Sequence, residues 1–303
     1  MKIPGLTLPP VRKDALTKLI ALALSGRAMS RSEWANRTGV SLTTTGKVAR
    51  ALLEAGVITE QVPTQFRSGR KTGLLRTNPR CHFLSTNFHK DGCLLTVTDG
   101  WDRIEENIWL PKNEDLTEEE NHLLFRGTFM EKRKQLEDRH PLVGSVLIVT
   151  ERELGNLRRR EALFQWGADW VISEEESVRG MIEKRFQKET VYFFSTEWDR
   201  CPVLYAQGRE VSMKSLPTRS ASEGVQRLSD MLRQWQVVEQ LIPNPRLILH
   251  APSLSPAEEE LLRKRLPTKE NQEILRSPDL ELIAARDALK NHMAECLAME
   301  KSE

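Results

Sequence analysis

The chain has 303 residues, 39% of them apolar and 29% charged, a mixture that excludes a disordered or fibrous chain and has room for two or three domains. The formal charge of +2 hides a split: residues 1–80 carry 14 lysines and arginines against four acids (Asp14, Glu33, Glu54 and Glu60), a net of +10, which leaves −8 for residues 81–303. The scattered Cys81, Cys93, Cys201 and Cys296 exclude a disulfide framework and a four-cysteine zinc site, and with neither an apolar leader nor a run of ~20 apolar residues the expectation is a cytoplasmic protein with no membrane partner.

Three short helices fit inside residues 11–56. Leu16, Leu19, Ile20 and Ala23 recur at i, i+3, i+4 and i+7, and Ser25-Gly26 ends that first helix. The second opens at Ser30-Arg31-Ser32-Glu33, a capping box, turns Trp34 and Ala35 inward, and stops at Gly39. The third takes Ser41 as N-cap and runs to Ala55, with Gly56 in the position that favours a left-handed residue. Thr38-Gly39-Val40-Ser41 between them is the Gly-containing turn of a helix-turn-helix. On the third helix Thr45, Val48, Ala49 and Leu52 form the inward stripe, which leaves Leu42, Thr43, Gly46, Lys47 and Arg50 outward and Thr44 at the edge. Hydroxyls and bases on one helix face suit the major groove of duplex DNA, and Gly46, unfavourable by ~1 kcal/mol in a helix interior, marks the close approach of another backbone. Val57–Glu60 and Leu74–Arg76 read as two strands joined by the basic tip Phe66–Lys71, so the segment as a whole reads as a winged helix-turn-helix. The DNA-contacting set is Ser30, Arg31, Ser41, Leu42, Thr43, Thr44, Gly46, Lys47 and Arg50 with Arg67, Gly69, Arg70 and Lys71 of the tip, Arg70 being the candidate for the minor groove.

The run Ser30-Arg31, Trp34-Ala35, Thr38-Gly39-Val40-Ser41, Lys47, Leu52-Leu53-Glu54-Ala55-Gly56-Val57-Ile58 and Gly69-Arg70 resembles the N-terminal domain of ROK-family transcriptional repressors, bacterial regulators of sugar metabolism. The chain departs from that pattern at Leu42, Thr45 and Gly46 and at Lys71-Thr72. The resemblance implies an operator-binding homodimer and, behind the DNA-binding domain, a two-lobed actin-like, sugar-kinase-like domain.

Beyond Pro79 strands and helices alternate, the pattern of an α/β domain. Strands are expected at Cys81–Asn87, Cys93–Thr98, Ile104–Leu110, Ser145–Thr150, Trp170–Ile172, Thr190–Thr196, Val203–Ala206 and Arg246–His250, and helices over 117–139, 222–241 and 279–298. Capping boxes stand at Thr117-x-x-Glu120, Ser173-x-x-Glu176 and Ser255-x-x-Glu258, and Asp99-Gly100-Trp101 reads as a hairpin turn. The domains are expected at 1–79 and 80–303, the latter in lobes of roughly 80–188 and 189–303. The helices at 222–241 and 279–298 carry apolar stripes suited to self-association.

Against the ROK pattern the C-terminal domain is degenerate. Leu84-Ser85-Thr86-Asn87-Phe88-His89 stands where a kinase of this fold has an acidic, Gly-rich phosphate loop, 208–224 has neither Cys nor His where the family has its zinc and sugar segment, and His250-Ala251-Pro252 stands where it has Gly-Gly. Cys81, His82, His89 and Cys93 have no regular ligand spacing, and Glu174-Glu175-Glu176 suits a helix dipole better than catalysis. The expectation is therefore a non-enzymatic transcriptional regulator, a repressor, with no cofactor, no metal and no catalytic residue. Its partners are double-stranded operator DNA, a second copy of itself, and a sugar or protein effector. Two alternatives remain: a sugar-kinase-like enzyme carrying a DNA-binding domain, and a protein-interaction regulator without a sugar effector.

Overall fold

The computed structural model describes residues 3, 5–61, 73–89, 91–149, 154, 157–186, 189–195, 203–206, 209–211, 224–242, 244–250, 255–266, 272–275 and 279–299. Helix α1 (Lys13–Leu24) turns Leu16, Leu19, Ile20, Ala23 and Leu24 inward. A two-residue strand, β1 (Met29–Ser30), leads into α2 (Arg31–Thr38), and after the left-handed Gly39 comes α3 (Leu42–Glu54). Strands β2 (Ile58–Gln61) and β3 (Leu74–Thr77) pair antiparallel, Ile58 opposite Thr77 and Gln61 opposite Leu74, and β1 lies along the other side of β3. The three helices and the sheet bury one another's apolar rows: Leu19, Ile20, Trp34, Val48, Leu52 and Leu75 have no solvent exposure. Full burial of each such side chain stabilises by roughly 1.5–3 kcal/mol.

The next five strands are β4 (His82–His89), β5 (Gly92–Asp99), β6 (Ile104–Pro111), β7 (Val143–Val149) and β8 (Trp170–Ser173), arranged β6-β5-β4-β7-β8. The first three form an antiparallel meander, and β7 and β8 then add parallel. Every residue of β7 is buried, as expected of a strand covered on both faces. Helices α4 (Glu118–Glu137) and α5 (Leu157–Phe164) lie on one face, where Phe125, Phe129, Leu136 and Trp166 pack on Leu84, Leu95 and Leu147. On the other face the Met293 side chain occupies the space where a Gly144 side chain would stand.

A second five-stranded sheet repeats that order. Strands β9 (Thr190–Ser195), β10 (Val203–Ala206), β11 (Arg209–Val211), β12 (Arg246–His250) and β13 (Gln272–Leu275) run β11-β10-β9-β12-β13, again three antiparallel strands followed by two parallel. With it go α6 (Glu174–Arg185), α7 (Gly224–Leu241) and α8 (Pro256–Arg265), and the last helix is α9 (Asp279–Met299). The chain forms two compact units, Met1–Glu174 with Ala285–Glu303, and Glu175–Ala284. Among the described residues no helix is long and apolar enough to cross a membrane.

The stripes expected to mediate self-association are spent inside the units. On α7, Leu228, Met231, Leu232, Trp235 and Val238 belong to the core around β9 and β12, and on α9 Leu289, Met293, Ala294 and Leu297 are buried. The same periodicity that marks an interface helix marks a core helix, and here the sheets claim both.

Within the first unit the β5–β6 turn touches three parts of the chain. The Trp101 indole N–H donates to the Thr77 carbonyl at 2.8 Å, and the Arg76 guanidinium lies over the Trp101 ring, 4.2 Å from its centre. Asp102 Oδ1 sits 2.5 Å from Lys290 Nζ and 3.1 Å from Arg286 Nε, and both of these cations are buried. Burial holds the Lys290 ammonium below its ordinary value, against the opposing attraction of Asp102. Asp102→Ala strands two buried cations and is expected to destabilise the protein by about 3 kcal/mol, with Asp102→Asn losing less. Denaturant unfolding measures both, and an unchanged midpoint for Asp102→Ala would show that the cluster carries no weight.

Candidate nucleic-acid interface

The N-terminal segment presents α3 by an exact division of its two faces. Thr45, Val48, Ala49, Ala51 and Leu52 are buried against α1, α2 and the small sheet. Leu42, Thr43, Lys47 and Arg50 are exposed, Leu42 at 56% of its surface, and Thr44 and Gly46 are half-buried at the margin. The start of the helix is fixed by Ser41, whose hydroxyl accepts the Thr44 N–H at 3.2 Å and donates to the Thr44 hydroxyl at 2.9 Å. No atom outside its own turn lies within 4 Å of where a Gly46 side chain would begin. Among the described residues the space beside the glycine is therefore open, a shallow notch between Thr43, Lys47 and Arg50.

Ser30 and Arg31 are both used locally. The Ser30 hydroxyl accepts the Glu33 N–H at 3.2 Å while the Glu33 carboxylate accepts the Ser30 N–H at 2.7 Å, the reciprocal bonds of a capping box. Arg31 donates from both terminal nitrogens to Glu60 of β2, at 2.5 and 2.9 Å. This hydrogen bonding raises the Arg31 pKa and holds the Glu60 carboxyl below the usual carboxylate range. Arg31 thus binds α2 to the strand beside it. The tip residues Arg67, Gly69, Arg70 and Lys71 lie outside the described residues.

An open groove of 530 Å³ adjoins the start of α3, lined by Pro10, Arg12, Lys18, Gly39, Ser41 and Thr44 among others. Arg12 and Lys18 are exposed cations that bring the first turns of α1 to the same edge as the α3 N-terminus. Their only signal was a share in the basic excess, because the loop that turns α2 into α3 is what places them next to Ser41. Together the surface offers hydroxyls, cations and a helix N-terminus whose partial positive charge favours anions.

Cys81 is buried and bonds to the Val57 carbonyl at 3.4 Å, and burial pushes the Cys81 and Cys93 thiols up to about 12. His82 Nε2 lies 2.7 Å from Glu105 Oε2 and its ring stacks on His140, with centres 3.8 Å apart. Among the described residues no group of three or more His, Cys, Asp or Glu is placed to hold a metal ion.

No protein-family model matches the sequence, and no curated protein matches it. Among solved structures, a ROK family transcriptional regulator described as a homolog of the E. coli MLC protein superposes with a TM-score of 0.56 at 13% identity, covering 95% of this chain and 98% of that one. A protein of actin-like ATPase fold from Bacteroides thetaiotaomicron gives 0.42 at 12% identity, over 69% and 96% of the two chains. A ROK family protein from Streptococcus pneumoniae, solved with sucrose, gives 0.35 at 10% identity, over 73% and 100%. At such identities the likeness is one of fold, and only the first is close enough to carry weight. The chain is a mixed α/β protein whose fold is similar to that of a ROK family transcriptional regulator.

Two outcomes follow from this geometry. Gly46→Ala is expected to raise stability by up to about 1 kcal/mol, since the added methyl meets open space in a helix. Because the Glu60 pKa is lowered, the Arg31–Glu60 tie contributes above the ordinary carboxylate pKa and is lost as pH falls through the lowered one. Both side chains are about a third exposed, so Glu60→Gln is expected to cost at most about 1 kcal/mol at pH 7, a difference that closes below about pH 4. Unfolding at pH 7 and pH 3 checks the second outcome, and a gap that persists in acid contradicts it.

Proposed function

We propose that the protein is a DNA-binding transcriptional regulator, a repressor that docks operator DNA through residues 1–79 folded as a winged helix-turn-helix, followed by a ROK-like domain over 80–303. The observation that carries this reading is the outward face of α3, where Lys47 and Arg50 stand exposed beside the notch at Gly46, in the first 80 residues with their net charge of +10. Leu42, Thr43 and Thr44 enter the major groove, Lys47 and Arg50 neutralise phosphate or read guanine, and Arg70 of the tip reaches the minor groove. Ser30 and Ser41 hold the two helices of the motif, and Arg12 and Lys18 add phosphate contacts at the groove edge. That a ROK family transcriptional regulator matches over nearly the whole of both chains supports this reading.

The C-terminal domain in this reading regulates and does not catalyse. Gly92, the first residue of β5, has Trp109 and the Leu110 carbonyl where a side chain would stand. On the face of the sheet opposite α4, Ser85 and Asn87 of β4 and Thr96 of β5 have buried polar atoms without partners among the described residues, and a hydroxyl-rich effector such as a sugar is the chemistry that satisfies such atoms.

Binding of the full chain to duplex DNA, followed by fluorescence anisotropy, is expected to fall with salt at a log–log slope of about −0.9 per neutralised phosphate. Lys47→Ala and Arg50→Ala each flatten that slope or relax sequence preference, and Gly46→Ala weakens binding even as it stabilises the helix. Affinity indifferent to salt and to all three substitutions refutes the reading. ATP-dependent turnover of a hexose in a coupled assay would instead establish the enzyme.

A further inference from the structure

The last helix carries a thiol beside an imidazole. Cys296 and His292 stand four positions apart on α9, so their side chains leave the same face one turn apart, and Cys296 Sγ lies 3.3 Å from His292 Nε2. The ring is held from two further sides: it stacks on the Trp170 indole of β8, with centres 3.9 Å apart, and it donates its other N–H to the Asp169 backbone carbonyl. With that proton on Nδ1, Nε2 keeps its lone pair and accepts the Cys296 S–H. All four residues belong to the first unit.

A nucleophile, a base within hydrogen-bond reach of it and a third group that orients the base are together what activates a thiol. Burial lowers the His292 pKa below its ordinary value and outweighs the attraction of Glu295 and Asp169, so the imidazole is mostly neutral at pH 7 and able to take a proton. Cys81 and Cys93 contrast with this: both are buried, with thiols pushed up to about 12, whereas Cys296 and His292 are half-buried beside the exposed Glu295. Neither of those two supplies the thiolate that would resolve an oxidised Cys296, which leaves addition chemistry rather than disulfide chemistry among the described cysteines. Apolar Trp170 beside the ring and Met299, exposed and three positions beyond the thiol, favour an uncharged organic reactant.

We propose that Cys296 is a modification site for electrophilic conjugated carbonyl compounds, with His292 as the general base. The sulfur adds to the β-carbon of the reactant. The Sγ–C bond forms as the C=C π bond breaks, the π electrons pass to the α-carbon, and the proton that His292 took from the thiol is delivered there. The imidazole ends neutral, and the step needs neither an oxidant nor a second reactant. The site uses no residue of α3 and stands apart from the DNA reading.

The probe is N-ethylmaleimide, a conjugated carbonyl. At pH 6.5 it is expected to react with the full chain at least about tenfold faster than with glutathione, because an ordinary thiol of pKa ~8.5 is only about 1% thiolate there. Peptide mapping by mass spectrometry places the adduct on Cys296, and Cys296→Ser removes it. Lowering the pH from 8 to 6.5 slows glutathione about twentyfold and Cys296 less than about threefold, since the neutral imidazole still takes the thiol proton. His292→Asn keeps an N–H for the Asp169 carbonyl and removes the base. The rate at pH 6.5 then falls about tenfold and the steep pH profile of an ordinary thiol returns, a change that a merely structural histidine would not produce. Circular dichroism checks the fold of that variant, and the comparison of the wild-type chain with glutathione decides without it. An adduct that forms first on another cysteine, a rate no faster than glutathione's at pH 6.5, or a pH profile unmoved by His292→Asn overturns the proposal.

Discussion

The first unit depends on the five residues from Asp99 to Arg103. Asp99 has no solvent exposure, and its carboxylate accepts the N–H groups of Trp101 and Arg103 and the Arg103 guanidinium at 2.7–2.9 Å. Burial alone would raise its pKa, but those donors outweigh burial and hold it below the ordinary carboxylate range. With the turn fixed in this way, Asp102 takes a left-handed backbone at φ 68° and points its carboxylate at Lys290 and Arg286, and Trp101 lies under Arg76. Gly100 has the Asn78 carbonyl where a side chain would be, so the turn and the end of β3 are in direct backbone contact. A strand end, a hairpin and a C-terminal helix, far apart in sequence, are held together here by hydrogen bonds and buried charge.

That arrangement ties the small N-terminal sheet to the larger one in the same unit. Arg76 donates to the Gly26 carbonyl, and the Thr77 hydroxyl donates to the Ala23 carbonyl while accepting the Gly26 N–H. The end of α1 is therefore bonded to β3, and β3 to the β5–β6 turn. Through α1, which lines the groove beside Ser41, these contacts extend to the edge of α3.

The charge asymmetry and the helix faces act at different ranges. The excess of +10 in residues 1–80 sets a field that steers an anion from a distance of about a Debye length, whereas the exposed Lys47 and Arg50 act only on contact.

Local chemistry was legible in the sequence, because a capping box, a glycine stop and a 3.6-residue period depend only on near neighbours. The caps at Ser30, Ser41, Thr117 and Ser255, the division of α3 into Thr45, Val48, Ala49 and Leu52 inward and Lys47 and Arg50 outward, and the three strands after Pro79 could all be read that way. Strands β1, β11 and β13 and helix α5 could not, since short segments acquire their state from the strands and helices they meet. The destination of an apolar stripe was likewise decided only by tertiary structure. The stripes of α7 and α9 look like interfaces and their inner residues are core, while Leu123, Leu124 and Met130 of α4 stay exposed, because burial depends on which sheet lies opposite a helix and periodicity records only that a face exists. Arg31 shows the same limit at the scale of one residue: its charge was evident, but its commitment to Glu60 follows from the pairing of β2 beside α2, which brings together residues 29 positions apart.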